Sequence, residues 1–303
     1  MTIERVAIIG LGLLGGSLGL ALRDCLPEVV TTGYDADPAV RLRAQERQLV
    51  GTVCANAAEA VAAADLVVLC VPVGAMAQAA RDIAADLPAH AIISDVGSSK
   101  LSVARVLAEA LPDHTVIPAH PVAGTEQSGP EAGFATLFRH RWCILTPAAD
   151  APEKAVAALT AMWEALGAKV ERMDAAHHDL VLAVTSHIPH LIAYTIVGTA
   201  SDLEDVTQSE VIKYSAGGFR DFTRIAASDP TMWRDVFLSN REAVLEVLGR
   251  FSEDLTALQR AIRNGDGEQL FDLFTRTREI RRSIIEQGQD DARPDFGRGS
   301  VAD

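Results

Sequence analysis

The sequence predicts an α/β protein: a Rossmann-type doubly wound sheet over residues 1–174, then an all-α domain over residues 175–286. Three observations carry this. Short apolar runs alternate with helical stretches as far as Met173, a glycine-rich turn follows the first run directly, and beyond Asp174 long amphipathic patterns replace the β-like runs. The strand-like runs are residues 5–9, 29–34, 65–71, 91–95, 115–118, 142–146 and 169–173. Their alternation with helices implies a mostly parallel sheet, because parallel neighbours need a crossover connection. In the second half one helical pattern runs from 175 to about 200 and another from 231 to about 263. In the latter, Phe237, Val244, Leu248, Phe251, Leu255, Leu258 and Ile262 recur at steps of three, four or seven, forming a single apolar stripe. So long a helix in so small a domain needs a large partner surface, which predicts a homodimer. Asn264 to Gly267 punctuate the chain before a final helix to about residue 285, and the tail 287–303, rich in glycine and charge, is expected to be disordered.

Composition narrows the function. The 303 residues suffice for about two domains, and 49% hydrophobic with 22% charged residues is ordinary for a globular chain. A formal charge of -14 opposes a nucleic-acid or anionic-membrane surface, so an anionic substrate must be held by individual cations. Cys25, Cys54, Cys70 and Cys143 are widely spaced without a CxxC pair, which argues against a zinc site or disulfide framework and suits a reducing compartment. Neither a signal-like leader nor a run of ~18 apolar residues is present, and a cytoplasmic protein is expected.

The turn after the first strand reads Gly10-Leu11-Gly12-Leu13-Leu14-Gly15 and leads into a helical stretch. In GxGxxG the first glycine permits the tight turn, the second lets a pyrophosphate approach, and the third allows close helix–strand packing; the helix N-terminus then faces the phosphates. Asp35 ends the second strand, where a carboxylate accepts hydrogen bonds from an adenosine ribose and repels a 2′-phosphate. No arginine follows immediately in Asp35-Ala-Asp-Pro38, and NAD is therefore the expected cofactor. Val71 and Pro72 stand at the end of the run 65–71, at the carboxyl edge expected to meet the nicotinamide half.

The run from His120 to Gly129 offers a possible proton acceptor in a glycine-bracketed turn, since an unperturbed histidine pKa of ~6.5 suits a base near neutrality. Three further clusters accompany it: Asp95-Val-Gly-Ser-Ser-Lys100, Ser186-His-Ile-Pro-His190, and Gly217-Gly-Phe-Arg-Asp-Phe-Thr-Arg-Ile225. With the glycine loop they make the chain resemble the prephenate and arogenate dehydrogenases, the cyclohexadienyl dehydrogenase family of tyrosine biosynthesis, over about residues 4–285. The resemblance implies NAD-dependent oxidative decarboxylation of a cyclohexadienol, with no metal. It assigns His120 as the group that polarises the ring hydroxyl and Ser98 as the serine bonding both. The family more often has valine at the position of Ser99, which leaves open which serine points inward.

The same resemblance places His190, Arg224, Thr125, Gly218, Asp221 and Trp233 on the substrate side. Arg224 would grip a carboxylate bidentately, as lysine cannot. Gly217 and Gly218 suggest a tight loop, Asp221 a residue that fixes it or faces the partner subunit, Arg220 a structural or rim charge, and His187 either a buried structural residue or a functional one. Two other readings compete. A β-hydroxyacid dehydrogenase usually relies on a helical lysine, and the second half offers only Lys213, outside a recognisable motif. A catalytically silent NAD-binding sensor would be free to lose His120, Ser98 and Arg224, all of which are present.

Overall fold

A computed structural model of the chain describes residues 2–203 and 217–286; Lys213 and the tail 287–303 lie outside them. Six parallel strands form the main sheet in the order β3-β2-β1-β4-β5-β6, comprising β1 (Arg5–Ile9), β2 (Val30–Tyr34), β3 (Thr52–Val53), β4 (Leu66–Leu69), β5 (Ile92–Asp95) and β6 (Thr115–Val116). Helices α1 (Leu13–Cys25), α2 (Pro38–Glu46), α3 (Ala57–Val61), α4 (Met76–Ile83) and α5 (Leu101–Ala110) make the crossovers. Two separate apolar clusters follow from the two-residue period of a strand. Val6, Ile8, Leu66, Val68 and Ile92 join α1 in one, while Ala7, Ile9, Val67, Leu69 and Ile93 join α4 and α5 in the other. Covered on both faces, these strands are continuous apolar runs rather than alternating ones.

A second sheet holds β7 (Ala119–Pro121), β8 (Trp142–Leu145) and β9 (Lys169–Arg172), with β7 antiparallel and β9 parallel to β8; α6 (Glu153–Ala165) links the last two. The short strands β3 and β7 were not predicted, because neither a two-residue strand nor Ala-His-Pro carries a β pattern. The expected strand 115–118 is shorter than its apolar run, ending at Val116.

The helical half departs from its simple pattern in three places. The run 175–200 divides into α7 (Ala175–Leu182), a π-helical turn (Ala183–His187) and α8 (Ile188–Asp202). As one 28-residue stretch it is long and apolar enough on average to cross a bilayer, although no consecutive apolar run of that length exists. Its His178, Asp179 and His187 are buried and hydrogen-bonded within the protein. Residues 217–223 form a short helix, α9 (Gly217–Thr223), rather than the expected tight loop. The stripe from 231 to 263 is not one helix: α10 (Pro230–Ser239) and α11 (Arg241–Asn264) are separated at Asn240, whose side-chain amide is drawn to the Asp179 carbonyl at 2.8 Å. The last helix, α12, spans Gly267–Glu286. Packing divides the chain into two compact units, 1–247 and 248–303, and the first holds both sheets and every candidate site residue.

Candidate active site

The glycine turn has the shape that its residues imply. Gly10 has φ 99°, and a Cβ there would meet the Cys70 carbonyl oxygen at 2.6 Å; a Cβ on Gly15 would lie 1.8 Å from the Gly10 oxygen. Gly12, by contrast, faces open space at the start of α1, and no side chain caps that helix. Uncapped amides beside an open approach suit a phosphate. The Asp35 carboxylate accepts from the Leu11 amide at 2.8 Å and from the Asp37 amide at 3.0 Å, tying the turn to the end of β2. Leu11 is fully buried, whereas Leu13, Leu14 and Val71 are half-buried and Pro72 is exposed. Local sequence order hid one cation: Arg41, on α2, donates to the Asp35 carbonyl at 2.6 Å and lies over the Tyr34 ring at 5.3 Å.

His120 occupies β7, where a buried ion pair holds the backbone. Lys100 and Asp95, both fully buried, bond one another; the Lys100 ammonium donates to the Ala119 carbonyl at 2.7 Å, and Asp95 accepts from the Ala119 amide at 3.2 Å. Burial pushes both groups towards neutrality, and their mutual attraction opposes it. Breaking such a pair typically costs ~3–5 kcal/mol, so it anchors the strand firmly. His120 is 7% exposed, and its Nδ1 is 2.8 Å from Nε2 of His178. Burial drives its pKa well below the ordinary histidine value, with His178, Lys100 and His187 adding to the effect.

The loop after β7 is pinned near the cofactor turn. Arg43 pairs with Glu131, Arg47 donates to the Gly133 carbonyl at 3.1 Å, and the Phe134 amide donates to the Ser17 hydroxyl of α1 at 3.1 Å. The same loop carries Glu126, which accepts from Arg224 at 2.9 Å. Thr125 is exposed and takes the Gln127 amide at 3.1 Å.

On the helical side, Trp233 is buried and stacks on His190 with ring centroids 3.7 Å apart. His190 donates from Nδ1 to the Ser186 carbonyl at 2.8 Å, so the neutral ring carries no hydrogen on Nε2. Burial lowers its pKa, the Ser186 carbonyl opposes this, and the Arg224 charge lowers it further. His187 is fully buried and accepts from the Asn240 amide at 3.1 Å; burial brings its pKa down to about 4. Among the described residues its Nε2 has no hydrogen-bond partner, and the nearby Ser98 backbone favours its charged form. Of the two serines, Ser99 is buried with its hydroxyl 2.6 Å from that of Ser239, while Ser98 is half-buried. Gly218 and Asp221 lie exposed on α9, and Asp221 has Arg220 at 3.9 Å.

Family models for the prephenate dehydrogenase nucleotide-binding domain and the prephenate dehydrogenase dimerization domain match residues 18–172 and 174–276. The chain belongs to the prephenate dehydrogenase family. A cyclohexadienyl dehydrogenase of Zymomonas mobilis is 44% identical over 281 residues, 93% of this chain and 96% of that one. The prephenate dehydrogenase of Bacillus subtilis is 30% identical, over 93% of this chain and 76% of its own length. Among solved structures, prephenate dehydrogenase from Aquifex aeolicus, in complex with hydroxyphenyl propionate and NAD+, superposes with a TM-score of 0.87 at 32% identity, covering 94% of this chain and 99% of that one. Synechocystis arogenate dehydrogenase gives 0.78 at 26% identity, covering 92% and 99%.

Within this prephenate dehydrogenase fold, the structure brings His120, His187, His190 and Trp233 into one connected region and ties Arg224 to the His120 loop. Sequence reasoning missed His178, Asp179, Glu126 and Asn240. One signal was legible: Asp174 caps α7, accepting from the Ala176 and His177 amides, and the capped first turn presents His178-Asp179.

Proposed function

We propose that this chain catalyses the NAD-dependent oxidative decarboxylation of prephenate to 4-hydroxyphenylpyruvate in tyrosine biosynthesis, and that it also converts arogenate to tyrosine. The observation that carries this reading is the pairing of a buried, neutral-biased His120 with a loop whose Glu126 holds Arg224 at 2.9 Å. A base and a carboxylate anchor thereby meet in one segment.

His120 accepts the ring hydroxyl proton, with Ser98 orienting that hydroxyl. Arg224 exchanges the Glu126 carboxylate for that of the substrate, a replacement of like for like that keeps the guanidinium paired. His190 and Trp233 form the substrate wall, with Thr125, Gly218 and Asp221 at its rim. The ring carboxylate leaves as carbon dioxide and the ring becomes aromatic. The open, uncapped start of α1 and the Asp35 carboxylate suit a dinucleotide, which Gly10–Gly15, Val71 and Pro72 would hold. NAD, when bound, supplies the hydride acceptor.

The active form is a homodimer, a reading supported by the dimerization-domain match over 174–276 and by Leu255, Ile262, Phe271 and Phe274, which are 49–71% exposed. Four free cysteines and the acidic balance fit a cytoplasmic location, without membrane or nucleic-acid partners. The test is NADH formation by purified protein with prephenate and with arogenate, each offered NAD and NADP. Turnover of both substrates with NAD is expected; no turnover by protein that binds NAD would overturn the reading, and NADP used equally well would overturn the role of Asp35.

A further inference from the structure

Behind His120 lies a line of buried polar side chains that the reaction above does not use. His178 is fully buried, with Nε2 2.8 Å from Nδ1 of His120 and Nδ1 2.8 Å from Oδ1 of Asp179. Asp179 is 4% exposed and accepts the first amides of α5, from Lys100 at 2.7 Å and Leu101 at 2.9 Å. Its oxygens therefore meet donors on every side, as suits a carboxylate, which only accepts.

That constraint sets every hydrogen in the line. A carboxylate obliges His178 to carry its hydrogen on Nδ1, which leaves Nε2 of the neutral ring bare. The hydrogen shared by the two rings then belongs to Nδ1 of His120, and Nε2 of His120 is the unprotonated nitrogen. This is the tautomer a base needs if its reactive atom is to face substrate.

We propose that His178 and Asp179 are positioning residues that hold His120 as the Nδ1–H tautomer, and that His178 receives its proton during turnover. As the hydroxyl proton forms a bond to Nε2 of His120, the Nδ1–H bond of that ring breaks and a new N–H bond forms at Nε2 of His178. The positive charge moves one ring inward, to an imidazolium paired with the Asp179 carboxylate; no electrons are exchanged in this transfer. The surroundings disfavour a positive charge on His120 more than on His178. Burial, His178, Lys100 and His187 all oppose a charge on His120, whereas at His178 burial, with Lys100, still lowers the pKa but the Asp179 and Asp95 carboxylates oppose that lowering.

The inference rests on His120 as the base, and two measurements separate them. In full-length protein labelled with ¹⁵N-histidine, two-bond proton–nitrogen spectra, assigned with His120→Asn and His178→Asn, read each ring's tautomer without turnover. Wild type is expected to show His120 protonated on Nδ1 and His178 protonated on Nδ1; His120 protonated on Nε2 would overturn the proposal. In kinetics, His178→Asn leaves Asp179 on its two amides, and is expected to lower kcat at least ~10-fold, a part of the ~10²–10⁴-fold a general base contributes, with KM within about twofold. Unchanged kcat, or a change confined to KM, would overturn it. Should His120→Asn retain full turnover while the wild-type tautomers are as expected, it is the base assignment that fails.

Discussion

His120 is the proposed base, and its burial has a consequence for pH. A histidine must be neutral to accept a proton, and this one is held well below its usual ~6.5 by burial and positive neighbours. The acid limb of kcat/KM is therefore expected below ~6.5, lower than the unperturbed value suggests. A limb at or above the ordinary histidine range would contradict the buried geometry. His120→Asn is expected to lower kcat by ~10²-fold or more with NAD affinity unchanged, measured by steady-state kinetics and cofactor titration. Arg224→Ala is expected to act mainly on KM, because an anchor felt equally in ground and transition states contributes uniform binding. A KM within about twofold of wild type would remove it from the anchor role. The proposed roles of His120 and Arg224 were legible through the family motifs that carry them, His120–Gly129 and Gly217–Ile225. Glu126 was not, since one glutamate among many announces nothing until a fold brings it to 2.9 Å from Arg224.

At the scale of elements, strand-to-helix turns were the most readable features and short strands the least. GxGxxG is visible because its constraint is local: the Gly10 oxygen lies where a Cβ on Gly15 would stand, 1.8 Å away. Gly15→Ala must therefore displace either the turn or α1, and NAD binding measured by fluorescence titration is expected to fall by at least ~10-fold. Retained affinity would mean that the turn does not form the cofactor cradle. The π-helical turn and the break at Asn240 were invisible to periodicity, and at Asn240 the side chain is engaged in long-range bonds. Asn240 spans Asp179 and His187, residues 61 and 53 positions away, and its neighbours alone would have continued the helix. His187 is fully buried, bonded to Asn240, and edge-on to Trp233 at 6.0 Å.

For the whole molecule, two expectations concern stability and assembly. His120, His178 and His187 are buried with lowered pKa values, His187 to about 4. The unfolded chain takes up these protons near ~6.5 and the folded chain does not, so stability is complete above that pH and lost as pH falls below it towards about 4. The melting temperature is expected to drop steadily across that window; a flat profile would show that these histidines are not held neutral. Phe271→Glu is expected to shift the sedimenting species from dimer to monomer, since Phe271 is 71% exposed on an amphipathic helix; an unchanged dimer would exclude that face. The amino-acid order alone indicated the layer pattern and the glycine turn with its acidic partner, because each follows from local periodicity or spacing, while the proposed base and carboxylate anchor were indicated by the motifs of the family resemblance. Only the tertiary structure decided which polar groups became a chain, from Asp179 through His178 to His120, because burial and hydrogen-bond direction belong to pairs of residues far apart in sequence.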